Sequence, residues 1–255
     1  MTESVAALAR AALKAAGIES SEMPERVPLP DIAAKGELDA ADRWKSLMWG
    51  IDTAQLQGPD SLRGLTIALV RIIQAEALDV LLFDTRWFKK PALEPSDPFW
   101  DRTLPLTASG ETLDQLMTPL ESPITVELSD AAVFSYPWDR WRLHRALGNI
   151  GEGRAHGPWR QSENHYGIGL SPWPIVLLDN GNHSTLAGQL RGGGTLRCEE
   201  SYDFTPVLRA VRTDGATWYR VDDGSSLGPV ASVAMAGIFV VGQRLAGIGM
   251  DTPRP

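Results

Sequence analysis

Apolar residues recur at helical spacing along the first third of the chain. This spacing predicts helices over residues 2–16, about 39–56 and about 59–82. Residues 18–37, between the first two helices, are polar and contain prolines, which is typical of a linker. The pattern therefore predicts a helical N-terminal region that covers residues 1–83.

Aromatic residues and prolines dominate the beginning of the next segment, residues 84–120. The aromatic residues here are Trp87, Phe88, Phe99 and Trp100. Because large aromatic rings are costly to expose to water, we expect irregular structure that packs these rings; an exposed arm that binds a partner is the alternative. We interpret residues 84–120 as a connector that contains a short helix near residues 111–116.

Shorter apolar segments separated by turn residues follow from residue 121 to residue 255. Strands are predicted at residues 124–128, 168–170 and 175–178, and helices at residues 138–148 and from residue 182 to the glycines at 192–194. Pro137 is expected in the first turn of the helix that ends near residue 148. Helices that precede a mixture of strands and helices predict an α+β fold, a helical N-terminal part followed by a mixed-sheet core.

The last third of the chain contains two turn signals. Asp214-Gly215 and Asp222-Asp223-Gly224 indicate hairpin-type turns, with strands or a strand–helix mixture on either side. Residues 230–250 are apolar but are interrupted by glycines and polar residues. They predict a buried strand or a pair of helices, because a membrane helix needs about 18 or more consecutive apolar residues.

Charge is unevenly distributed over the 255 residues, whose formal net charge is −8. Residues 138–197 carry seven arginines against four acidic side chains, whereas residues 1–137 carry 12 basic and 21 acidic side chains. The four histidines also lie in the basic segment: His144, His156, His165 and His183. The net negative charge argues against a nucleic-acid partner bound by charge alone. An anion site is expected within residues 138–197.

Cysteine content and hydropathy indicate the cellular setting. The single cysteine, Cys198, excludes an internal disulfide and a cysteine-based zinc cluster, and we expect it to be a packed thiol. Residues 1–17 lack the apolar core of a signal peptide. We therefore expect a cytoplasmic protein without a membrane span.

Residues 175–184 form the clearest candidate for a functional site: an apolar strand, a tight turn and a helix start. Asn180 and Gly181 both tolerate positive φ. Asn182 or Ser184 is expected to cap the next helix, whose unpaired N–H groups offer a seat for an anion such as phosphate. His183 would then donate a hydrogen bond to that anion or transfer a proton. A purely structural turn and cap is the alternative.

The same run is similar to a motif of the ParB/sulfiredoxin superfamily, in which a strand leads into Asp-Gly-x-His-Arg and then a helix. The matching residues are Asp179-Asn180-Gly181-Asn182-His183-Ser184. The resemblance covers about residues 121–192. It implies a bacterial protein with a ParB-like core that binds a nucleotide, with Mg²⁺, through Asn180, Gly181, Asn182 and Ser184. It further implies hydrolysis or phosphoryl transfer, with His183 and Asp179 as catalytic residues.

One departure from the motif weakens this implication. Ser184 stands where the superfamily has an arginine that contacts phosphate. Arg191 or an arginine from residues 140–160 could substitute for it. The missing arginine favours the alternative of a non-catalytic module that retains the fold and binds a protein through the acidic N-terminal helices or residues 84–108.

Arginine and tryptophan interleave in residues 138–160, a combination suited to stacking on bases and contacting phosphates. Arg142 and Arg145 are the candidate ligand-binding residues of this group. Trp138 and Trp141 share helical spacing with Arg145, however. We therefore favour a buried tryptophan edge with a solvated arginine face.

A metal site is the third possibility. His156, His165, His183 and Asp179 have the side chains that zinc prefers, which would suit a metal-dependent hydrolase. Their spacings match no short metal-binding motif. Glu163, beside His165, is a further candidate general base.

Overall fold

The computed structural model describes residues 39–83 and 99–249. The chain divides at residue 39, and the unit that begins there extends to the end of the chain. The helix predicted over residues 2–16, the linker at residues 18–37, and Trp87 and Phe88 lie outside the described residues.

Helices and strands alternate along most of the described chain. The helices are α1 (Ala40–Gln57), α2 (Pro59–Phe83), α3 (Leu113–Leu116), α4 (Arg140–Asn149), α5 (Asn182–Leu190), α6 (Thr205–Ala210) and α7 (Val233–Leu245). The strands are β1 (Thr118–Pro119), β2 (Ile124–Glu127), β3 (Ala132–Phe134), β4 (Tyr166–Ser171), β5 (Ile175–Asn180), β6 (Thr195–Cys198), β7 (Glu200–Asp203), β8 (Val211–Thr213), β9 (Thr217–Arg220) and β10 (Ser226–Pro229). The helices near the N-terminus and the mixed sheets that follow confirm the predicted α+β class.

A five-stranded mixed sheet with the order β1-β7-β4-β5-β3 lies at the centre. β5 pairs in parallel with β3 and antiparallel with β4, and β4 pairs in parallel with β7. β2 and β6 form a separate antiparallel ribbon. β8, β9 and β10 form an antiparallel meander, and the two predicted turns at residues 214–215 and 222–224 connect its strands.

Side chains alternate across the central sheet and so build two apolar clusters. Phe134, Ile175 and Leu177 pack with α1, α2 and α7; we call this side the helical face. Val176 and Leu178 pack with the β2–β6 ribbon and with Ala187 of α5; we call this side the ribbon face. Since β5 is buried on both faces, it has the continuous apolar run from which it was predicted.

An aromatic cluster fills the space beside the helical face. Phe99 lies 5.5 Å from Trp100, 5.7 Å from Phe239 and 6.2 Å from Trp218, measured between ring centroids. Trp100 is only 6% exposed. The prediction that the aromatic residues of the connector are packed is therefore confirmed for these two rings.

A buried glutamine joins the N-terminal helices to the sheet. Nε2 of Gln74, on α2, donates to the carbonyl oxygen of Val133 at 2.7 Å and to Oγ of Ser135 at 2.9 Å. Ser135 in turn donates to Oε1 of Gln189 on α5 at 2.7 Å. The compact unit that starts at Asp39 thus crosses the boundaries suggested at residues 83 and 120.

Two local predictions were wrong. Pro137 is not in the first turn of a helix: it follows β3, a strand that the sequence pattern did not reveal, and α4 starts at Arg140 with Asp139 as its N-cap. The apolar residues after 230 form one helix, α7, rather than a strand or a helix pair. No helix in residues 39–83 or 99–249 is both long and apolar enough to cross a membrane.

Candidate functional site

The predicted strand, turn and helix start lie where the sequence indicates. β5 is buried as far as Leu178 and becomes exposed at Asp179 and Asn180. Gly181 has a φ of 87°, and a Cβ atom there would lie 2.5 Å from Cδ2 of His165. Glycine is therefore required at this turn both by the backbone conformation and by the close approach of the imidazole.

The predicted side-chain cap is absent. Gly181 itself occupies the N-cap position, because the turn needs positive φ at that residue. Asn182 instead accepts the N–H of Tyr136 through Oδ1 at 2.8 Å. Ser184 donates its hydroxyl hydrogen back to the carbonyl oxygen of Gly181 at 3.0 Å. Both polar side chains therefore hold the turn in place.

His183 connects the turn to the start of α4. Its Nε2 accepts the backbone N–H of Asp139 at 3.1 Å, so the proton of the neutral ring lies on Nδ1. Within residues 39–83 and 99–249, Nδ1 has no hydrogen-bond partner. Burial lowers the pKa of His183; the Asp139 carboxylate opposes this effect and the positive charge of Arg142 reinforces it. The result is a neutral imidazole with one N–H group to offer.

His165 and Ser184 resemble a nucleophile–base pair, with Nε2 and Oγ 2.7 Å apart. The direction of the hydrogen bonds does not suit that chemistry, however. Nδ1 of His165 accepts the backbone N–H of Ser162 at 2.9 Å, so Nε2 carries the proton and donates it to Ser184. Ser184 then donates to Gly181. In this arrangement His165 has no free nitrogen with which to take the serine proton.

The tryptophans beside the turn differ from the prediction. Trp138 is 47% exposed and Trp141 is 75% exposed, so the predicted buried tryptophan edge on α4 was wrong. Leu143 is the buried residue of this helix, because it faces the protein interior. The Trp138 ring meets His183 edge to face at 4.6 Å. Trp159, by contrast, is buried against His165.

The two candidate arginines both lie on the exposed side of α4. Arg142 is near enough to His183 for its charge to act on the imidazole, and its backbone N–H donates to the capping Asp139. Arg145 lies one turn further along the helix. The structure therefore brings Arg142, His183 and the start of α5 together.

Residues 51–250 match the profile of DUF6710, a family of unknown function. The chain belongs to this family. The match runs from within α1 to the residues that follow α7 and so includes the candidate site. No curated protein and no solved structure matches the chain.

Asp179 of this DUF6710 protein is exposed near the end of β5, where the pairing with β4 is interrupted by a register shift. Its charge helps to raise the pKa of Tyr166, after the larger effects of Glu200 and burial. The groups whose charges act on the pKa of His183 are Asp139 and Arg142, and Asp179 is not one of them.

The third possibility, a histidine metal site, has no support in the structure. In the part of the chain that the structure describes, no three His, Cys, Asp or Glu side chains gather as a metal ion would require. His156 lies in the loop after α4, where its N–H donates to Asn149. Cys198 is buried, which raises its pKa to about 12 and confirms the prediction of a packed thiol.

The sequence did not reveal the links that hold this DUF6710 turn. The bond from Asp139 to His183 spans 44 residues, and that between His165 and Ser184 spans 19. The sole signal for them was the clustering of all four histidines in one segment.

Proposed function

We propose that this protein binds a phosphate-bearing ligand, a nucleotide with Mg²⁺ in particular, at the turn formed by residues 180–184. The observation that carries the proposal is His183. Its imidazole is 9% exposed, Nε2 is occupied by Asp139, and the Nδ1 hydrogen has no partner in the described residues. A donor of this kind beside a helix N-terminus suits an anion, since both present positive charge or N–H groups.

Arg142 is the best substitute for the arginine that the ParB-like motif has at the position of Ser184. It lies on α4, exposed, and its charge acts on His183. Arg145 would extend the positive surface by one helical turn. Because the side chains of Asn182 and Ser184 are engaged within the fold, the backbone N–H groups of the first turn of α5 would contact the ligand.

Binding has more support than catalysis. The hydrolysis or phosphoryl transfer that the resemblance implies would need a proton acceptor beside the ligand. His165 already donates to Ser184, and the charge of Asp179 acts on Tyr166 but not on His183. We therefore propose a nucleotide-binding role without group transfer. A cytoplasmic location, where free nucleotides occur and a lone thiol such as Cys198 stays reduced, belongs to the same proposal.

Nucleotide titration of the full chain tests this proposal. ATP, CTP and GTP, each with Mg²⁺, are added while thermal unfolding and calorimetric binding are followed. We expect at least one nucleotide to raise the melting temperature. Arg142→Gln should weaken its binding about tenfold, which corresponds to ~1.4 kcal/mol.

The matched control is Arg63→Gln, which removes another exposed arginine, one that pairs with Asp60 at the start of α2. This variant should bind the nucleotide as the wild type does. Failure of all three nucleotides to bind or stabilise the wild type would remove the proposal.

A second function, protein binding without catalysis, is favoured by the exposed face of α1. Trp49 is 73% exposed and Leu56 is 91% exposed, and the two lie seven residues apart on one side of the helix. Large apolar side chains that share an exposed face are typical of interaction surfaces.

This second function is tested by affinity capture with a Trp49→Ser, Leu56→Ser double variant, because both side chains lie outside the core. A specific partner should be captured by the wild type and lost by the double variant. Trp141→Ser, which removes an exposed tryptophan from α4, is the control and should retain the partner. Equal capture by all three proteins would contradict the idea.

A further inference from the structure

A cavity of about 260 Å³ lies over the helical face of the central sheet, beside β4, β5 and β7. Its floor is apolar and consists of Ile168, Leu170 and Leu177. The aromatic rings that line it are Phe99, Trp100, Tyr202 and Phe204. These residues belong to the sheet and to the aromatic cluster, whereas the turn at Gly181 is built by α4, α5 and the loop before β4.

Charged side chains also line this cavity. Arg102 and Asp114 approach each other with N and O atoms 3.7 Å apart, which partly offsets both charges. Glu200 adds a second carboxylate. The described residues of the lining therefore include two carboxylates and one arginine.

The pKa of Tyr166 is affected by the neighbouring Glu200. A hydrogen bond to the Glu200 carboxylate, together with burial and the charge of Asp179, raises the pKa of Tyr166 to about 12. The phenol consequently stays protonated at neutral pH and can donate its hydrogen to Glu200. A cation at this position would find an acceptor and a favourable field.

We infer that this cavity binds a small organic ammonium compound with an aromatic or alkyl body. The body lies on Leu170 and Phe204, and the ammonium group lies beside Glu200, where the ring of Tyr202 adds a cation–π contact. The size is suitable, since an apolar cavity of about 150 Å³ already holds benzene. The charge excess of the lining selects a cation over an anion of the same shape.

Phenethylammonium is the probe for this site, measured by calorimetry and by ligand-observed NMR on the full chain. Two compounds of similar shape serve as references: 2-phenylethanol, which is neutral, and 3-phenylpropanoate, which is anionic. We expect saturable binding of the amine at millimolar concentration, weaker binding of the alcohol and none of the carboxylate. No binding of the amine, or equal binding of all three compounds, overturns the inference.

Two glutamates that are neighbours in sequence provide matched variants. Glu200→Gln removes the carboxylate at the cavity and should weaken amine binding about tenfold relative to the wild type. Glu199→Gln removes a carboxylate that pairs with Arg197 on β6 and should leave binding unchanged. The same loss in both variants would show that net charge, not this cavity, attracts the amine.

A folding defect in Glu200→Gln would be recognised by its melting temperature. In that case Asp114→Asn, which removes the other carboxylate of the lining, gives the second test and should also weaken binding of the amine. Binding that is insensitive to both changes overturns the inference. Because Arg142→Gln leaves this cavity intact, nucleotide binding and amine binding can fail independently of each other.

Discussion

The turn at Gly181 and the cavity over the helical face hold their polar side chains in different ways. At the turn, Asn182, Ser184 and His165 are joined to backbone groups or to each other. The lining of the cavity, otherwise largely apolar, includes three charged side chains: Arg102, Asp114 and Glu200. The region that looks chemically rich in the sequence thus uses most of its polar side chains for structure, whereas the region that looks apolar contains charged groups.

Suggestive residue types are therefore a weak guide to a site until their hydrogen bonds are known. His165 and Ser184 approach as a catalytic pair would, yet their hydrogen bonds run towards the Gly181 carbonyl and stabilise the turn. In His183, Nε2 accepts a hydrogen bond from Asp139, whereas Nδ1 has no hydrogen-bond partner among the described residues. The predictions that follow test this contrast, from the largest expected effect to the smallest.

Gly181→Ala should cause the largest loss of stability. An alanine at positive φ costs roughly 1–2 kcal/mol, and the contact of its Cβ with His165 adds about 1–3 kcal/mol. Urea denaturation measures the change in the free energy of unfolding. Gly192→Ala is the control, because its φ of 71° is similar but nothing lies within 4 Å of the added Cβ. Equal losses would mean that the turn does not hold the imidazole tightly.

The next largest effect is a difference in stability between variants of two buried tryptophans, Trp173 and Trp100. Trp173→Phe removes the donor to the Ile238 carbonyl, whereas Trp100→Phe removes a donor that has no partner. Both variants lose indole volume, but we expect the first to cost about 1–2 kcal/mol more in the free energy of unfolding. Chemical denaturation of the two variants side by side gives the difference. A larger loss for Trp100→Phe would show that its N–H is bonded in solution.

Acid should destabilise the turn. Burial lowers the folded-state pKa of His183 and of His165 below the ordinary value of 6.5, so the unfolded chain binds protons more readily than the folded one. Their contribution to stability is complete above pH 6.5 and is lost as the pH falls through the folded-state pKa. Denaturation at a series of pH values from 8 to 5 measures this loss.

The matched variants for the acid effect are His183→Gln and His144→Gln. The first removes a buried imidazole and should flatten the pH dependence, whereas the second removes an exposed imidazole on α4 and should not. An identical pH profile for the wild type and His183→Gln would contradict a buried neutral histidine.

The smallest effect is expected at Trp141. With 75% of its surface exposed, Trp141→Ser should change the free energy of unfolding by less than about 0.5 kcal/mol. The same substitution should weaken nucleotide binding only if a base stacks on this ring, so a binding titration of the variant separates the two roles. A loss well above that limit would mean that α4 packs differently from the arrangement described.

Elements with strong local signals could be predicted from the sequence. α1, α2 and β5 have clear periodicity or a continuous apolar run, and Asn180-Gly181 indicated the turn. β3 was missed because its three residues are all buried and show no alternation. α7 is buried all round, so its apolar residues have no helical periodicity that would distinguish it from a strand.

The site was harder to predict than the fold, because its contacts join residues far apart in sequence. Helical spacing grouped Trp138 with Trp141, but only the packing of neighbouring elements decides that Leu143 is the buried side chain of α4. Likewise the charge of Asp179 acts on Tyr166 and not on His183, although Asp179 and His183 are four residues apart in the sequence. The cavity was not predictable, since residues from the connector, α3 and three strands line it.

The amide of Gln74 has a consequence for the order in which the chain is synthesised. Its Nε2 also approaches Oε1 of Gln189, 115 residues later in the sequence. On the ribosome, α2 emerges before β3 and α5, so these partners of Gln74 are absent when the helix is synthesised. Contacts between distant residues make folding slow, because a long loop must close before they form. Translation that stops before Gln189 would therefore leave the Gln74 amide without its partner on α5.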